Sequence, residues 1–374
     1  MAIKAAGGNP PTNSLSFLEI ENEFGQNATR SLGAYRMNNF DIGALTEVSL
    51  SRDGCGINAN SDIPVDNQEI KFSDFFSAKQ NIIVDLHSSD ENRVNAKNDK
   101  YNASATPTSG KFIVVGSSSK PITTSGKKII IHVTKTIGSS QGSINNVALR
   151  TGNWDSGTEV LVEVATGGLL IGAGGKGGDG VESGGGLPGE SGTSALGIDY
   201  DGTDIQTTGG SIICGFGGGG AGGGGETKRE GNWRGRGRGP EVKAGGGGGG
   251  GGMGIPAGNG GTSPEGRNGT AGSATAAGNG GEGAEEISSG GGEQAIINGG
   301  TGGEGGSLVS GSAENADAGS SAFLSGNGPH EDAGTSGGGN GGANGSAIRK
   351  GSGISFNLIG SVNRVGDVSG TGVS

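Results

Sequence analysis

The sequence predicts a mainly β and irregular fold with a short helical N-terminal region, a small antiparallel β domain and a long glycine-rich domain. Short amphipathic segments occur within residues 1–80. Runs of β-branched residues follow in 81–166, and most of the 89 glycines lie in 167–353. Residues 354–374 regain apolar character and are predicted to form a C-terminal strand and tail.

Composition confines any conventional core to the first half of the chain. The 374 residues are 30% hydrophobic, and the few aromatic residues lie mostly before residue 166. The net charge of −11 argues against general nucleic-acid binding, which depends on Lys and Arg neutralising phosphates. Cys55 and Cys214 lie in different regions and provide neither a disulfide framework nor metal-ligand spacing.

The N-terminal region is predicted to be an attachment region built from short helices. Ser16 and Glu19 have the spacing of a capping box, which predicts a helix through Phe24 that ends at Gly25. Similar short segments are predicted at 31–36 and 70–78. Helices of this length are marginal in isolation, so we expect them to dock on a partner or on the next domain.

About five strands are predicted in 81–166. The runs at 82–86, 111–115, 127–136, 147–149 and 159–164 are rich in β-branched residues and are bounded by Ser, Gly, Asn and Pro. The links between them are long and polar, which favours an antiparallel sheet or small sandwich over βαβ units. His87 and His132 are interpreted as strand residues because no Cys or paired His accompanies them.

One unit recurs in the glycine-rich domain. It appears at 174–180, 299–305 and 338–345, with a shorter relative at 278–283, and its internal spacing is three residues. Three residues per turn is the repeat of a polyproline-II-type helix. Collagen is excluded because the triplet phase breaks and the chain has only 10 prolines. The return of one unit between dissimilar inserts favours an ordered scaffold over disorder.

The most distinctive insert is 228–240, which is basic in an otherwise acidic chain. Its candidate binding residues are Arg229, Trp233, Arg234, Arg236 and Arg238. The guanidinium fork suits phosphate or carboxylate, and the indole offers a stacking surface for a sugar or a base. Three interpretations stay open: contact with an anionic receptor, binding of RNA, or a solvated loop packed on a neighbouring subunit.

Other candidate contacts are Tyr200, Phe323 and His330, each of which is equally consistent with an ordinary surface loop. Acidic residues flank Tyr200 and follow His330, but their spacing matches no calcium loop, so neither a metal nor another cofactor is expected. The chain lacks a zincin helix and a phosphate-binding loop that ends in Gly-Lys-Ser/Thr. We therefore expect no catalytic residues and no enzymatic activity.

Two stretches resemble proteins of tailed bacteriophages. Residues 15–25 and 31–35, with 70–76, resemble a short module near the N-termini of many tail and fibre proteins. The glycine motifs and their inserts resemble the polyglycine-II sandwich of the adhesin that caps the long tail fibres of some T-even-type myoviruses. The C-terminal stretches at 346–353 and 354–359 are similar to terminal strands of tail-fibre-type proteins.

The resemblance implies a phage adhesin whose variable loops bind a host outer-membrane protein or lipopolysaccharide, while its other partners are tail or fibre subunits. A purely structural baseplate, fibre or collar protein is the alternative. The N-terminus has no signal-peptide pattern and the chain has no run of 18 apolar residues, so neither membrane insertion nor ordinary secretion is expected. A virion assembled in the host cytoplasm fits both expectations.

Overall fold

The computed structural model describes residues 15–24, 69, 81–86, 91–106, 111–114, 120–228, 242–290, 293–309, 312–313, 317–326, 331–368 and 370–373. They are mostly strands, with few helices. The helices are α1 (Phe17–Phe24) and a π-helical segment, Ala96–Asn102. The strands are β1 (Asn81–Leu86), β2 (Glu91–Asn92), β3 (Val94–Asn95), β4 (Phe112–Val114), β5 (Lys128–Val133), β6 (Thr136–Gly138), β7 (Val147–Arg150), β8 (Glu159–Ala165), β9 (Leu169–Ile171), β10 (Ser194–Ile198), β11 (Thr203–Thr208), β12 (Ser211–Ile213), β13 (Gly225–Lys228), β14 (Val242–Ala244), β15 (Glu285–Gly290), β16 (Glu293–Asn298), β17 (Leu308–Val309), β18 (Ser312–Ala313), β19 (Phe323–Gly326), β20 (Glu331–Thr335), β21 (Ile348–Lys350), β22 (Phe356–Leu358), β23 (Arg364–Val365) and β24 (Gly370–Thr371).

Three parallel sheets form a solenoid of five turns, in which each turn contributes one strand to each sheet. Sheet 1 has the order β22-β11-β8-β5-β1, sheet 2 the order β2-β6-β9-β12-β23, and sheet 3 the order β24-β21-β10-β7-β3. Equivalent strands of successive turns pair in parallel throughout. This is the arrangement of a parallel β-helix. Strand β4 adds an antiparallel edge to sheet 1, beside β1.

The prediction of an antiparallel β domain was therefore wrong, although strands lie in all five predicted runs. The polar links were long enough for hairpins, but each link instead turns the chain onto the next sheet. A sequence signal for parallel pairing was present, since β1, β5 and β8 are nearly continuous apolar runs that are buried on both faces. The β domain also extends past residue 166, because β9–β12 and β21–β24 belong to the same three sheets.

The core of the solenoid consists of apolar side chains stacked in register from turn to turn. Sheet 1 stacks Ile82, Ile129 and Val160 on neighbouring strands. Sheet 2 stacks Ile137, Leu170 and Ile212, and sheet 3 stacks Val94, Leu149, Leu196 and Ile348. All of these residues belong to one buried cluster. Their burial is the principal stabilising term of this half of the molecule.

The glycine-rich part is inserted into the solenoid. Residues 172–193 leave after β9 and return at β10, and residues 214–347 leave after β12 and return at β21. We define the glycine lattice as 172–193, 214–224, 245–284, 299–306, 317–322 and 336–345. A change of composition marks the place where the chain leaves the solenoid but not where it returns. A boundary at residue 166/167 therefore cuts across the observed sheets.

The hydrogen bonds of the lattice repeat every three residues. Along 174–180, one set of backbone N–H groups donates to segment 256–262 and a second set donates to 216–219. These bonds join Gly174 to Pro256, Gly177 to Asn259, Gly180 to Thr262, Gly175 to Phe216 and Gly178 to Gly219, with N···O distances of 2.7–2.9 Å. The third position carries the outward side chains of Lys176 and Asp179, which pair at 2.7 Å. A glycine is thus required at two positions in three.

The two longest glycine runs occupy the interior of the lattice, where each segment has six neighbours. Segment 216–224 exchanges backbone hydrogen bonds with 175–178, 184–190, 247–253, 300–306, 317–320 and 339–342. Segment 245–252 does so with 175–181, 219–222, 258–261, 267–270, 278–284 and 300–303. A Cβ on Gly220 would lie 1.9 Å from the Gly339 carbonyl oxygen. Interior segments therefore need glycine at nearly every position.

The capping box predicted for α1 is confirmed. The backbone N and Oγ of Ser16 both donate to Glu19 Oε2, at 2.8 and 2.9 Å, and Glu19 N donates to Ser16 Oγ at 3.3 Å. Ile20 is fully buried, whereas Leu18 is exposed, so one face of the helix packs against the protein. The other predicted N-terminal segments, 31–36 and 70–78, lie outside the described residues.

A buried polar ladder crosses the outer face of sheet 1. Asp85, His132, Glu163 and Gln206 occupy paired positions on β1, β5, β8 and β11, and none is more than 7% exposed. His132 Nε2 lies 3.8 Å from Glu163 Oε2, beyond hydrogen-bond distance. Burial lowers the pKa of His132 to about 4. His132 is therefore a neutral strand residue at neutral pH, consistent with its interpretation from sequence.

Gly250→Ala is expected to destabilise the protein by about 3 kcal/mol, because overpacking a rigid interior forces the backbone apart. A Cβ there would lie 1.9 Å from the Gly278 carbonyl oxygen. The matched control is Gly337→Ala, since a Cβ at Gly337 meets nothing within 4 Å. Thermal unfolding of both variants measures the difference, and equal melting temperatures would contradict the packing of the interior segment.

The free energy of unfolding should fall as the pH drops from 6.5 toward 4. The pKa of His132 is about 4 in the folded protein, against its ordinary 6.5, so the unfolded chain binds the proton more readily in this window. The stabilisation is complete above pH 6.5, and about 3 kcal/mol is lost by pH 4. Denaturant unfolding of wild type and His132→Gln over this range isolates the effect. The idea fails if both proteins lose stability with the same slope.

Candidate functional site

The lattice is fixed to the solenoid at one end through a small apolar cluster of Ile171, Cys214, Phe216 and Met253. Phe216 N donates to the Met253 carbonyl at 3.0 Å, which joins the first residues of one interior segment to the last of the other. Burial raises the pKa of Cys214 to about 12, so its thiol stays protonated at neutral pH. This end is structural, and its free cysteine is inert. Cys55 lies outside the described residues.

The opposite, distal end of the lattice carries two small antiparallel sheets. One has the order β14-β13-β20 and the other β15-β16-β19. Their strands continue directly from lattice segments: β13 follows 216–224, β14 precedes 245–252, and β16 leads into 299–306. The buried side chain of Ile297 lies against Gly225, where a Cβ would come within 2.9 Å of its Cδ1. The two sheets are thus packed on each other.

Most of the predicted binding residues belong to connections at this distal end. Arg229, Trp233, Arg234, Arg236 and Arg238 lie outside the described residues, in the stretch that links β13 to β14. Thr227 pairs with Val242 across those two strands, so both ends of the stretch are anchored side by side.

Phe323 and His330 belong to the same end. Phe323 begins β19 and pairs through its backbone with Asn298. His330 lies outside the described residues and directly precedes β20, where Glu331 pairs with Lys228. The chain neighbours of Arg229 and His330 are therefore cross-strand partners.

Tyr200 lies elsewhere, in the connection between β10 and β11 of the solenoid. Its hydroxyl donates to the Asp155 carbonyl at 2.9 Å and accepts from Thr158 N at 3.1 Å. Its ring packs against the solenoid core. The structure thus separates Tyr200 from the distal candidates and gives its side chain a role in the fold.

The acids that flank Tyr200 also serve the fold. Asp199 binds Arg150 through two hydrogen bonds of 2.8 and 3.1 Å. Asp201 accepts from the backbone N and the Oγ of Ser355. Among the described residues no group of three or more His, Cys, Asp and Glu side chains has the geometry of a metal site.

The strands of the distal sheets alternate in charge. Glu226 is the cross-strand partner of Lys243, and Lys228 is the partner of Glu331. The β15–β16 hairpin adds Glu285, Glu286 and Glu293. Opposite charges on directly paired strands stabilise a sheet by roughly 0.2–1 kcal/mol per pair. The distal strands together carry a net negative charge, since two lysines stand against six carboxylates, whereas the basic stretch between β13 and β14 carries an excess of positive charge.

Ile287 was not singled out by sequence analysis. It lies on edge strand β15 opposite Ile296, and it is 50% exposed. The signal that was missed is a hairpin pattern, with Ile287 and Ile296-Ile297 on either side of the glycines at 290–292.

Comparison of the chain with protein families, with curated proteins and with solved structures finds no match. Among the described residues, no helix has the length and apolar character needed to cross a membrane.

Ile297→Ala should loosen the distal sheets, because truncating a buried isoleucine costs about 3 kcal/mol. The matched control is Ile287→Ala. Ile287 lies on the adjacent strand, one residue beyond the cross-strand partner of Ile297, and its side chain is half exposed. Hydrogen exchange of the β15, β16 and β19 amides should accelerate in the first variant alone. Equal exchange in both variants would show that Ile297 does not hold the two sheets together.

Proposed function

We propose that the protein is a tail adhesin of a tailed bacteriophage, which binds a receptor on the host surface through the distal end of the glycine lattice. One observation carries the proposal. The dissimilar inserts around 226–243, 285–298 and 323–335 all connect strands at one end of a lattice whose interior excludes side chains. Variable loops on a rigid support are the usual design of a recognition surface.

The lattice itself is proposed to be a polyglycine-II sandwich. Its support is the three-residue period of the hydrogen bonds and the six neighbours of each interior segment. A left-handed helix with three residues per turn directs its backbone groups outward, and without a Cβ neighbouring helices approach closely. Close Cα–H···O contacts accompany such packing. Backbone hydrogen bonds of the sandwich would hold the loop ends in place.

The receptor is proposed to be anionic at the point of contact. The stretch between β13 and β14 contains Arg229, Arg234, Arg236 and Arg238, with Trp233 among them in sequence. Guanidinium groups bind phosphate or carboxylate in bidentate geometry, and indole stacks on sugar rings. The phosphorylated core of lipopolysaccharide and an acidic loop of an outer-membrane protein both present such groups.

Residues 1–80 are proposed to attach the protein to other tail or fibre subunits, in a virion assembled in the host cytoplasm. No catalytic role is proposed for any residue. The alternative is a purely structural virion component, in which the distal end packs on a neighbouring subunit instead of a receptor. The two functions predict different phenotypes for loss of the basic stretch.

Purified protein should protect host cells from phage adsorption by occupying the receptor. Replacing 229–241 with Asn-Gly should raise the protein concentration that gives half-maximal protection by at least about tenfold, because contacts worth about 1.4 kcal/mol or more are removed. With Thr227 and Val242 paired, Lys228 and the two new residues form a three-residue loop that ends in glycine, which suits an antiparallel hairpin. Lys176→Ala, which removes a basic side chain from the flank of the lattice, should protect like wild type.

The same replacement in the phage separates the two functions. An adhesin predicts intact virions with impaired or altered adsorption. Virions that fail to assemble, or that assemble and adsorb normally, would overturn the receptor role of this stretch.

A further inference from the structure

The solenoid carries a polar cleft that is separate from the distal end. It consists of two adjoining depressions of about 310 and 470 Å³ beside β3 and β7, which share Asn95 and Arg150. Volumes of this size are in the range of small-molecule sites. The described lining includes Arg93 in the first depression, and Lys97, Asn98, Asn102, Asn153 and Asp199 in the second.

The first wall is the π-helical segment Ala96–Asn102. Asn95 caps it, since Asn95 Oδ1 accepts from Asn98 N at 3.0 Å. Tyr101 anchors the segment, because its buried ring packs between Phe112 at 4.8 Å and Trp154 at 5.3 Å between centroids. With that face fixed, Asn98 and Asn102 are left exposed on the cleft. The Asn98 and Asn102 amides therefore lie on an ordered helical segment.

The second wall is the end of β7 and the turn that follows it. Asp199 aligns Arg150 through Nε and Nη2, and it also accepts from Gly152 N at 3.1 Å. In the part of the chain that the structure describes, Arg150 Nη1 makes no hydrogen bond. A Cβ at Gly152 would lie 2.5 Å from Lys97 Cβ, so the close approach of the two walls requires glycine there. The guanidinium is therefore pre-oriented with donors remaining.

The chemistry of the lining favours hydrogen bonding to a hydroxylated anion. Asn98, Asn102 and Asn153 are exposed amides, and an amide both donates and accepts, as vicinal hydroxyls require. Lys97 donates to the Asn153 carbonyl and lies 3.6 Å from Asp155, so its charge is shared. Among the described lining residues, Arg93, Lys97 and Arg150 are basic and Asp199 is acidic, so the lining has a formal excess of positive charge. The nearby rings of Tyr101 and Trp154 are buried and offer no stacking surface.

Backbone strain occurs at the same place. Arg93 is the one described non-glycine residue with a positive φ, 54°. Its N donates to the Gly138 carbonyl at 3.1 Å, which holds it between β2 and β3. A non-glycine residue in this region costs of order 1 kcal/mol, and such residues cluster at functional sites.

We propose that this cleft binds a carboxylate-bearing oligosaccharide, with Arg150 at the carboxylate and Asn98, Asn102 and Asn153 at the sugar hydroxyls. This second site is independent of the distal end. An acidic exopolysaccharide and the acidic sugars of lipopolysaccharide share the same chemistry.

The test is isothermal titration calorimetry of the full chain with a tetramer of α-1,4-linked galacturonic acid. Binding is expected, and maltotetraose, a neutral tetramer of the same size, should bind at least about tenfold more weakly because the carboxylate–guanidinium pair is missing. Asn98→Ala and Asn153→Ala should each weaken binding of the acidic tetramer by roughly tenfold. Asn340→Ala, an exposed amide on the lattice, should leave it unchanged. Equal melting temperatures establish that the variants fold.

Three outcomes would overturn the proposal. The acidic tetramer does not bind, or maltotetraose binds equally well, or inorganic sulfate binds as tightly as the tetramer and the two Asn variants have no effect. The last outcome would identify a simple anion site. If the tetramer binds, titration with purified exopolysaccharide and with lipopolysaccharide-derived core sugars distinguishes the two sources. Neither titration involves 229–241. A failed titration would therefore leave the adsorption result unaffected, and a failed adsorption experiment would leave the titration result unaffected.

Discussion

The absence of a Cβ in the interior segments of the lattice is the constraint on which the glycine-rich half depends. At Gly220 and Gly250 a side chain would overlap a neighbouring carbonyl oxygen, so backbone hydrogen bonds replace the packing of side chains. Each such bond contributes about 0.5–1.5 kcal/mol net, whereas ordering a residue costs about 1–2 kcal/mol. Hydrogen bonding alone therefore falls short of the cost of ordering the backbone, and the lattice needs further support.

That support comes from the way the lattice is inserted. Both insertions leave from sheet 2 and return to sheet 3 on consecutive turns of the solenoid, so the solenoid holds their four ends close together. Thr193 joins the two insertions: its Oγ1 accepts from Ala173 N at 2.7 Å and its carbonyl accepts from Gly215 N at 2.8 Å. Closing a chain between fixed ends loses less entropy than ordering a free one. The solenoid thus acts as the template for a lattice that lacks a core of its own.

Local signals predicted local structure well. The capping box at Ser16 and Glu19 located α1, and β-branched runs located the strands of 81–166, because both depend on residues within a few positions of each other. Pairing between successive turns in 81–213 joins residues 31 to 55 positions apart, and long polar links are compatible with either direction. The continuous burial of β5 distinguishes parallel from antiparallel pairing, because an antiparallel strand with one solvated face buries only alternate residues. Tyr200 resembled an exposed contact because acids flank it, yet those acids bind Arg150 and Ser355.

The three-residue period also determines where the molecule can vary. Adding one residue inside a lattice segment rotates everything after it by one third of a turn, which directs an outward side chain such as Lys176 or Asp179 into a neighbouring backbone. Only insertions of three residues preserve the phase within a segment. Between β13 and β14 no such phase exists, because the antiparallel pairing of Thr227 with Val242 holds both ends whatever the length of the connection. Length and chemistry are therefore free to change at the distal end, while the lattice that positions it stays restricted to glycine.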